Sequence, residues 1–101
     1  MQSNPNGPKY SKFLIGKAID FAKSATILDK AHNYQSAVEN YQKSCEFLLE
    51  AYQVESNPEE KRQIFARATE MLQRAELLKQ QLSQANKYFI SLHSLFNIIK
   101  K

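Results

Sequence analysis

Residues that break helices are scarce in this chain. Its 101 residues include only two glycines and three prolines, and three of these five lie within the first eight positions. A β-sandwich or β-barrel needs a turn about every 8–12 residues, and such turns draw heavily on glycine and proline. The shortage therefore argues against those folds and predicts an all-α domain.

Residues that could carry chemistry are equally few. Cys45 is the only cysteine, so no internal disulfide can form, and neither His32 nor His93 has partners at the spacing of HExxH or CxxC. Neither GxxxxGK[ST] nor GxGxxG is present, so no nucleotide site is expected. We predict a non-catalytic domain without metal or cofactor, in which Cys45 is a small core residue.

Positive charge is not concentrated in the body of the chain. The net charge is +4, but residues 12–85 hold ten basic and ten acidic side chains. The excess comes from Lys9, Lys87, Lys100 and Lys101 near the two ends. Nucleic-acid binding needs a clustered positive surface, so we do not expect it.

No segment is suited to crossing a membrane. The longest apolar-rich stretch, Tyr88–Ile99, has twelve residues and includes four polar ones, whereas a span needs about 20 apolar residues. No secretory apolar region begins the chain. We therefore expect an intracellular protein.

Helical periodicity divides the chain into three segments. Residues 1–10 are predicted to be a disordered leader, and residues 11–85 an antiparallel three-helix bundle. Ser11, Asn33 and Asn57 are the predicted N-caps, the last followed by Pro58 and a capping-box Glu60. Apolar stripes recur at three- and four-residue steps, centred on Leu14, Ala18 and Ala25, on Val38, Tyr41, Cys45 and Leu48, and on Ile64, Ala68, Ala75 and Leu78.

The segment NYQSAVENYQKS, residues 33–44, has a residue pattern that is typical of two helical families. Its N-Y-x-x-A-x-x-x-Y spacing resembles the first helix of a tetratricopeptide repeat, but such repeats recur about every 34 residues and no second copy is present. KAID, DKAxNYxxA and LxRAExLK in residues 17–55 and 71–82 resemble an MIT (microtubule interacting and trafficking) domain throughout. The similarity is greatest to the N-terminal domain of the vacuolar protein sorting AAA ATPase that disassembles ESCRT-III.

This resemblance implies a cytoplasmic adaptor that binds the C-terminal tails of ESCRT-III subunits and recruits an attached AAA ATPase to endosomal membranes. It implies contact with the membrane only indirectly, through ESCRT-III. In MIT domains an amphipathic tail helix lies between the second and third helices, or an extended segment lies between the first and third. The resemblance assigns Leu72 to the leucines of a tail helix, Glu76 to its arginine and Arg67 to an early acidic residue. The remaining residues of the implied peptide site are Thr69, Lys79, Val38, Cys45 and Leu49.

The chain departs from the MIT pattern at three places. Gln73 replaces an aspartate of close relatives, and Ile27 and Leu28 replace two acidic residues. Residues 86–101 form an apolar tail where relatives continue into a charged linker. Leu92, Phe96 and Ile99 extend the stripe of the third helix and also match the spacing of a tail motif. We expect this tail to extend the third helix or to dock on its own bundle or on a neighbour's. The alternative function is therefore self-association, with the groove occupied by a tail.

Overall fold

Three helices make up the part of the chain that the computed structural model describes, which is the backbone of residues 7–100 and the side chains of residues 9–84. They are α1 (Gly7–Lys30), α2 (Tyr34–Val54) and α3 (Pro58–Lys100). Residues 31–33 and 55–57 connect them, so successive helices run antiparallel. The predicted all-α three-helix bundle is confirmed. Residues 1–6 of the predicted leader lie outside the described residues, and α1 begins four residues before Ser11.

Ser11 is an interior residue of α1, so its prediction as an N-cap was wrong. Its side chain is fully buried, and its hydroxyl donates a hydrogen bond of 2.8 Å to Glu55. The other carboxylate oxygen of Glu55 accepts the backbone N–H groups of Ser56 and Asn57 at 3.1 Å each. The bond from the Asn57 N–H, followed by the bond from Ser11, lowers the pKa of Glu55. Ser11 therefore fixes the start of α1 against the α2–α3 connection.

The chain reverses between α1 and α2 without glycine. His32 has a φ of 62°, in the left-handed region. Its N–H donates to the carbonyl of Asp29 at 3.0 Å, and the N–H of Asn33 donates to the carbonyl of Leu28 at 2.8 Å. These two bonds form a Schellman motif, which satisfies the last carbonyls of α1. Asn33 is the N-cap residue of α2, but its side chain makes no cap hydrogen bond, contrary to its predicted role.

The start of α3 follows the sequence prediction closely. The Asn57 side-chain oxygen accepts the N–H groups of Glu59 at 2.9 Å and Glu60 at 3.1 Å, and Pro58 is the first helical residue. The capping box is not completed by Glu60, because the Asn57 N–H donates to Glu55 instead. Asn57 is thus a true N-cap, but its backbone N–H bonds to Glu55 and not to the predicted Glu60.

Helix α2 packs along both of its neighbours, whereas the backbones of α1 and α3 scarcely approach each other. Small side chains allow the close packing, since Ala18, Ala25, Ala37, Ala51 and Ala75 are all essentially inaccessible. Ser44 adds a buried hydrogen bond from its hydroxyl to the Ala18 carbonyl, 2.7 Å long. The core has two clusters, one around Leu14, Leu48 and Ile64 and one around Val38, Tyr41 and Leu78.

A charged network joins all three helices at the far end of the second cluster. The Arg74 guanidinium of α3 donates to both carboxylate oxygens of Asp29 of α1, at 2.7 and 2.8 Å. The Tyr41 hydroxyl of α2 donates to the same carboxylate at 2.9 Å. The hydrogen bonds from Arg74 lower the pKa of Asp29, against the opposing effect of burial. This network connects α1 to α3 where their backbones do not meet.

Helix α3 is much longer than the other two. It has 43 residues, and about 18 of them follow Leu82, which extends the helix by about 27 Å. The backbone of the predicted apolar tail is therefore helical through Lys100. Within the described residues, no helix combines the length and hydropathy of a membrane span.

The Asp29–Arg74 network yields a prediction about stability and pH. Asp29→Asn should lower the free energy of unfolding by about 1–2 kcal/mol near neutral pH. Charge-assisted hydrogen bonds are worth about 1.5–3 kcal/mol, reduced here because Arg74 is partly exposed. Because folding lowers the pKa of Asp29, its contribution is present above the ordinary aspartate pKa and is lost as pH falls through the lower, folded value. Urea denaturation across that acidic range checks both effects, since the difference between wild type and variant should shrink on acidification. A constant difference would contradict the network.

The left-handed turn yields a second prediction, made with a pair of variants at His32. His32→Gly and His32→Val both remove the ring that lies 5.7 Å from the Tyr34 ring, so this loss cancels between them. The glycine variant should be the more stable by about 1–2 kcal/mol, because a β-branched residue is strained at positive φ. Thermal and urea denaturation of the two proteins measure the difference. Equal stabilities would mean that the turn does not require a left-handed residue.

Candidate peptide-binding grooves

The first candidate site is the groove between α2 and α3. Large apolar side chains line its rim although they remain accessible, notably Leu49 on α2 and Phe65 and Leu72 on α3. Tyr52 and Phe65 face each other across the groove with ring centroids 6.0 Å apart. Below the rim, the Cys45 thiol approaches the Ala68 carbonyl at 3.6 Å. The groove thus has a closed floor and an apolar rim that no helix of the bundle covers.

Leu72 lies at the edge of the core rather than inside it. It is 48% exposed, whereas Leu78 on the same helix is completely buried. The difference follows from helical geometry, since Leu72 is displaced by about 60° from Ala75 and on the side facing α2. The interpretation of Leu72 as an ordinary core residue is therefore disfavoured, and its position suits contact with an apolar ligand.

Two predicted polar residues follow Leu72 on the same side of α3. Glu76 and Lys79 pair with each other at 3.2 Å, with roughly half of each side chain exposed. An exposed pair of this kind contributes little to stability, so a charged ligand can replace either partner at small cost. Thr69 lies about one turn before Leu72 and about two turns before this pair, and its hydroxyl donates to the Phe65 carbonyl at 2.9 Å.

The α2 residues assigned to the site have different depths. Val38 and Cys45 are buried, at 4% and 8% exposure, whereas Leu49 is exposed. Val38 and Cys45 therefore form the floor of the groove, and Leu49 its accessible wall. Burial raises the pKa of the Cys45 thiol, which disfavours the reactive thiolate. Cys45 therefore contributes to the floor by packing.

Arg67 does not share this groove. It lies on the opposite side of α3 and lines a second groove, of about 290 Å³, between α1 and α3. The walls of this groove are Ala18, Ile19 and Ala22 from α1 and Arg67, Glu70 and Met71 from α3, with Ser44 and Leu48 of α2 beneath. Small side chains at three of these positions and charges at the rim favour an extended ligand over a helix with large apolar residues.

Sequence reasoning missed one part of the α2–α3 groove, at its end near the α2–α3 connection. Tyr52, Pro58, Lys61, Arg62 and Phe65 enclose a cavity there of about 360 Å³. The Lys61 ammonium lies 4.4 Å from the centre of the Tyr52 ring. Tyr52 continues the apolar stripe of α2 and packs against the first core cluster, and it also lines this cavity. The signal that could have indicated the cavity is the basic pair in the first turn and a half of α3.

A comparison with known protein families agrees with this architecture. The family model of the MIT (microtubule interacting and transport) domain matches residues 15–80. The matched segment covers well over half of the 101 residues and includes both grooves with all eight residues of the implied peptide site.

Proposed function

Because this chain belongs to the MIT family, whose domains are non-catalytic modules that bind peptide motifs of other proteins, we propose that its α2–α3 groove binds the C-terminal tail helices of ESCRT-III subunits. The accessible apolar rim formed by Leu49, Phe65 and Leu72 is the observation that carries this proposal. An amphipathic helix docks by inserting residues at three- and four-residue spacing into an apolar groove. The ligand class is the one that the sequence resemblance implies.

Charges around the rim match the pattern of such a tail. Glu76 stands beside Leu72 on the same side of α3, where it can accept the guanidinium of a tail arginine after releasing Lys79. Lys61 and Arg62, at the other end of the groove, suit an acidic residue of the ligand better than Arg67 does, because Arg67 faces α1. The α1–α3 groove is the proposed site for extended, proline-containing tails.

Binding through one groove should be weak and reversible. A single short helix buries less than the ~1,600 Å² of a standard stable interface, so micromolar affinity is expected. Several copies on one polymer would bind more tightly through avidity. In this proposal the domain acts in the cytoplasm as an adaptor that brings an attached AAA ATPase to ESCRT-III on endosomal membranes, for protein transport and vacuolar sorting.

A second candidate function is self-association through residues 86–101. The continuous backbone of α3 through Lys100 favours it, because a helix that continues beyond the bundle can pair with a second copy. Its sequence places Phe89, Leu92 and Phe96 on the stripe that begins with Leu78 and Leu82. A tail bound in its own or a neighbour's groove would compete with an ESCRT-III ligand.

The first candidate predicts different effects for two matched variants. Leu72→Asp should abolish binding of an ESCRT-III tail helix, because an unpaired carboxylate in an apolar contact costs several kcal/mol. Ile19→Asp places the same charge in the α1–α3 groove and should leave that binding unchanged. Fluorescence anisotropy with a labelled peptide measures both affinities, and circular dichroism should show both proteins folded because both positions are exposed. Retained binding by Leu72→Asp would rule out the α2–α3 groove.

The second candidate predicts that the tail lowers ligand affinity. A tethered segment competes at roughly millimolar effective concentration. Deletion of residues 86–101 should therefore strengthen binding of the same peptide and convert any dimer to monomer. Peptide titration together with sedimentation equilibrium measures the two effects. Unchanged affinity and unchanged mass would contradict self-association.

A further inference from the structure

The outer face of α1 combines two exposed apolar side chains with an open backbone position. Phe13 and Ile27 are 57% and 68% exposed. They are 14 residues apart, so they lie within about 40° of each other around the helix and about 21 Å apart along it. Between them is Gly16, where an added methyl group would meet no neighbour within 4 Å. Packing therefore does not require this glycine, although it costs about 1 kcal/mol of helix stability relative to alanine.

The same face is strongly positive. None of the lysines of α1 forms an ion pair with any side chain in residues 9–84. Within α1, only Asp20 opposes them, since Asp29 points inward and is compensated by Arg74. From outside α1, Glu55 lies close enough to Lys12 for the lysine charge to help lower its pKa. Helix α2, by contrast, carries three glutamates and a single lysine. The lysines of α1 are Lys9, Lys12, Lys17, Lys23 and Lys30.

We propose that the outer face of α1 binds directly to an anionic membrane surface. Binding at a membrane interface has two contributions, attraction to anionic headgroups and burial of apolar area. The lysines supply the first, and the protruding Phe and Ile side chains that they surround supply the second. Gly16 lets the headgroups approach the helix between Phe13 and Ile27. The sequence resemblance implied only indirect contact with membranes, through ESCRT-III.

Other occupants fit this face less well. Two copies of the chain would bring two strongly positive faces together, and like charges at short range repel. A nucleic acid would satisfy the lysines but would leave Phe13 and Ile27 without an apolar partner. An anionic bilayer satisfies both sets of residues.

Membrane contact through α1 is compatible with peptide binding. Ile27 lies about 200° around α1 from the buried Ala25, so the outer face points away from the bundle. Helix α1 is not a wall of the α2–α3 groove, so the two surfaces can be occupied together. The inference does not depend on ESCRT-III tails being the peptide ligand.

Vesicle flotation tests the inference with the full chain. Wild-type protein should float with vesicles of phosphatidylcholine and phosphatidylserine, but not with phosphatidylcholine alone, and added salt should weaken the binding. Each lysine near an anionic surface contributes about a fivefold factor. The double variant Lys23→Glu with Lys30→Glu should therefore bind at least about tenfold more weakly, and Ile27→Ser should bind severalfold more weakly.

The matched control is Lys43→Glu with Lys79→Glu, which makes the same charge change on α2 and α3 and should retain most of the binding. Leu72→Asp should bind vesicles like wild type, and the α1 variants should bind tail peptide like wild type, so the two proposals can fail separately. If the control variant lost as much vesicle binding as the α1 variant, the loss would be a general charge effect, and the proposed role of the α1 face would be overturned. Full binding by the α1 variants, or a dimer that Ile27→Ser disrupts, would also overturn it.

Discussion

The bidentate contact between Arg74 and Asp29 joins two helices whose backbones scarcely meet. Helix α2 packs along both α1 and α3, so without a direct link those two helices would be held in place only through α2. The Asp29 carboxylate accepts hydrogen bonds from Arg74 and Tyr41, which places one acceptor group at the junction of all three helices. Because the link is formed by long side chains, it fixes the spacing of α1 and α3 without closing the space between them. The α1–α3 groove lies in that space.

Side-chain size determines the other groove. Alanines at the centre of each stripe bring the helices close together, which leaves little interior space for larger residues. Phe65 and Leu72 flank the alanine row of α3 and are therefore displaced to the rim facing α2. These two residues therefore stand at the edge of the bundle, where they can contact a ligand, whereas Leu14, Leu48 and Leu78 fill the core. The position of each residue around α3 thus explains why Leu72 is exposed and Leu78 is buried.

The three surfaces of the domain point in different directions, which lets them act together. The α2–α3 groove suits a helical peptide, the α1–α3 groove suits an extended one, and the outer face of α1 is suited to anionic lipid. A partner that is itself attached to a membrane would place its tails and the lipid headgroups within reach of one domain. Each contact is weak, and their combination would raise the residence time through avidity. The long α3 offers a further means of increasing the number of bound copies.

The sequence by itself determined the three helices, their core stripes and the cap at Asn57, because periodicity and capping act over three or four residues. Family resemblance assigned Leu72, Leu49 and Glu76 to a peptide site, and that assignment stays a prediction. The tertiary structure alone decided the roles of Ser11, Asp29 and Arg67. Ser11 is of a residue type that commonly caps helices, yet its hydroxyl bonds to Glu55. Asp29 and Arg74, which pair with each other, are 45 residues apart in the sequence. Such pairings depend on how the helices rotate against one another, and that rotation follows from packing of all three together rather than from any local spacing.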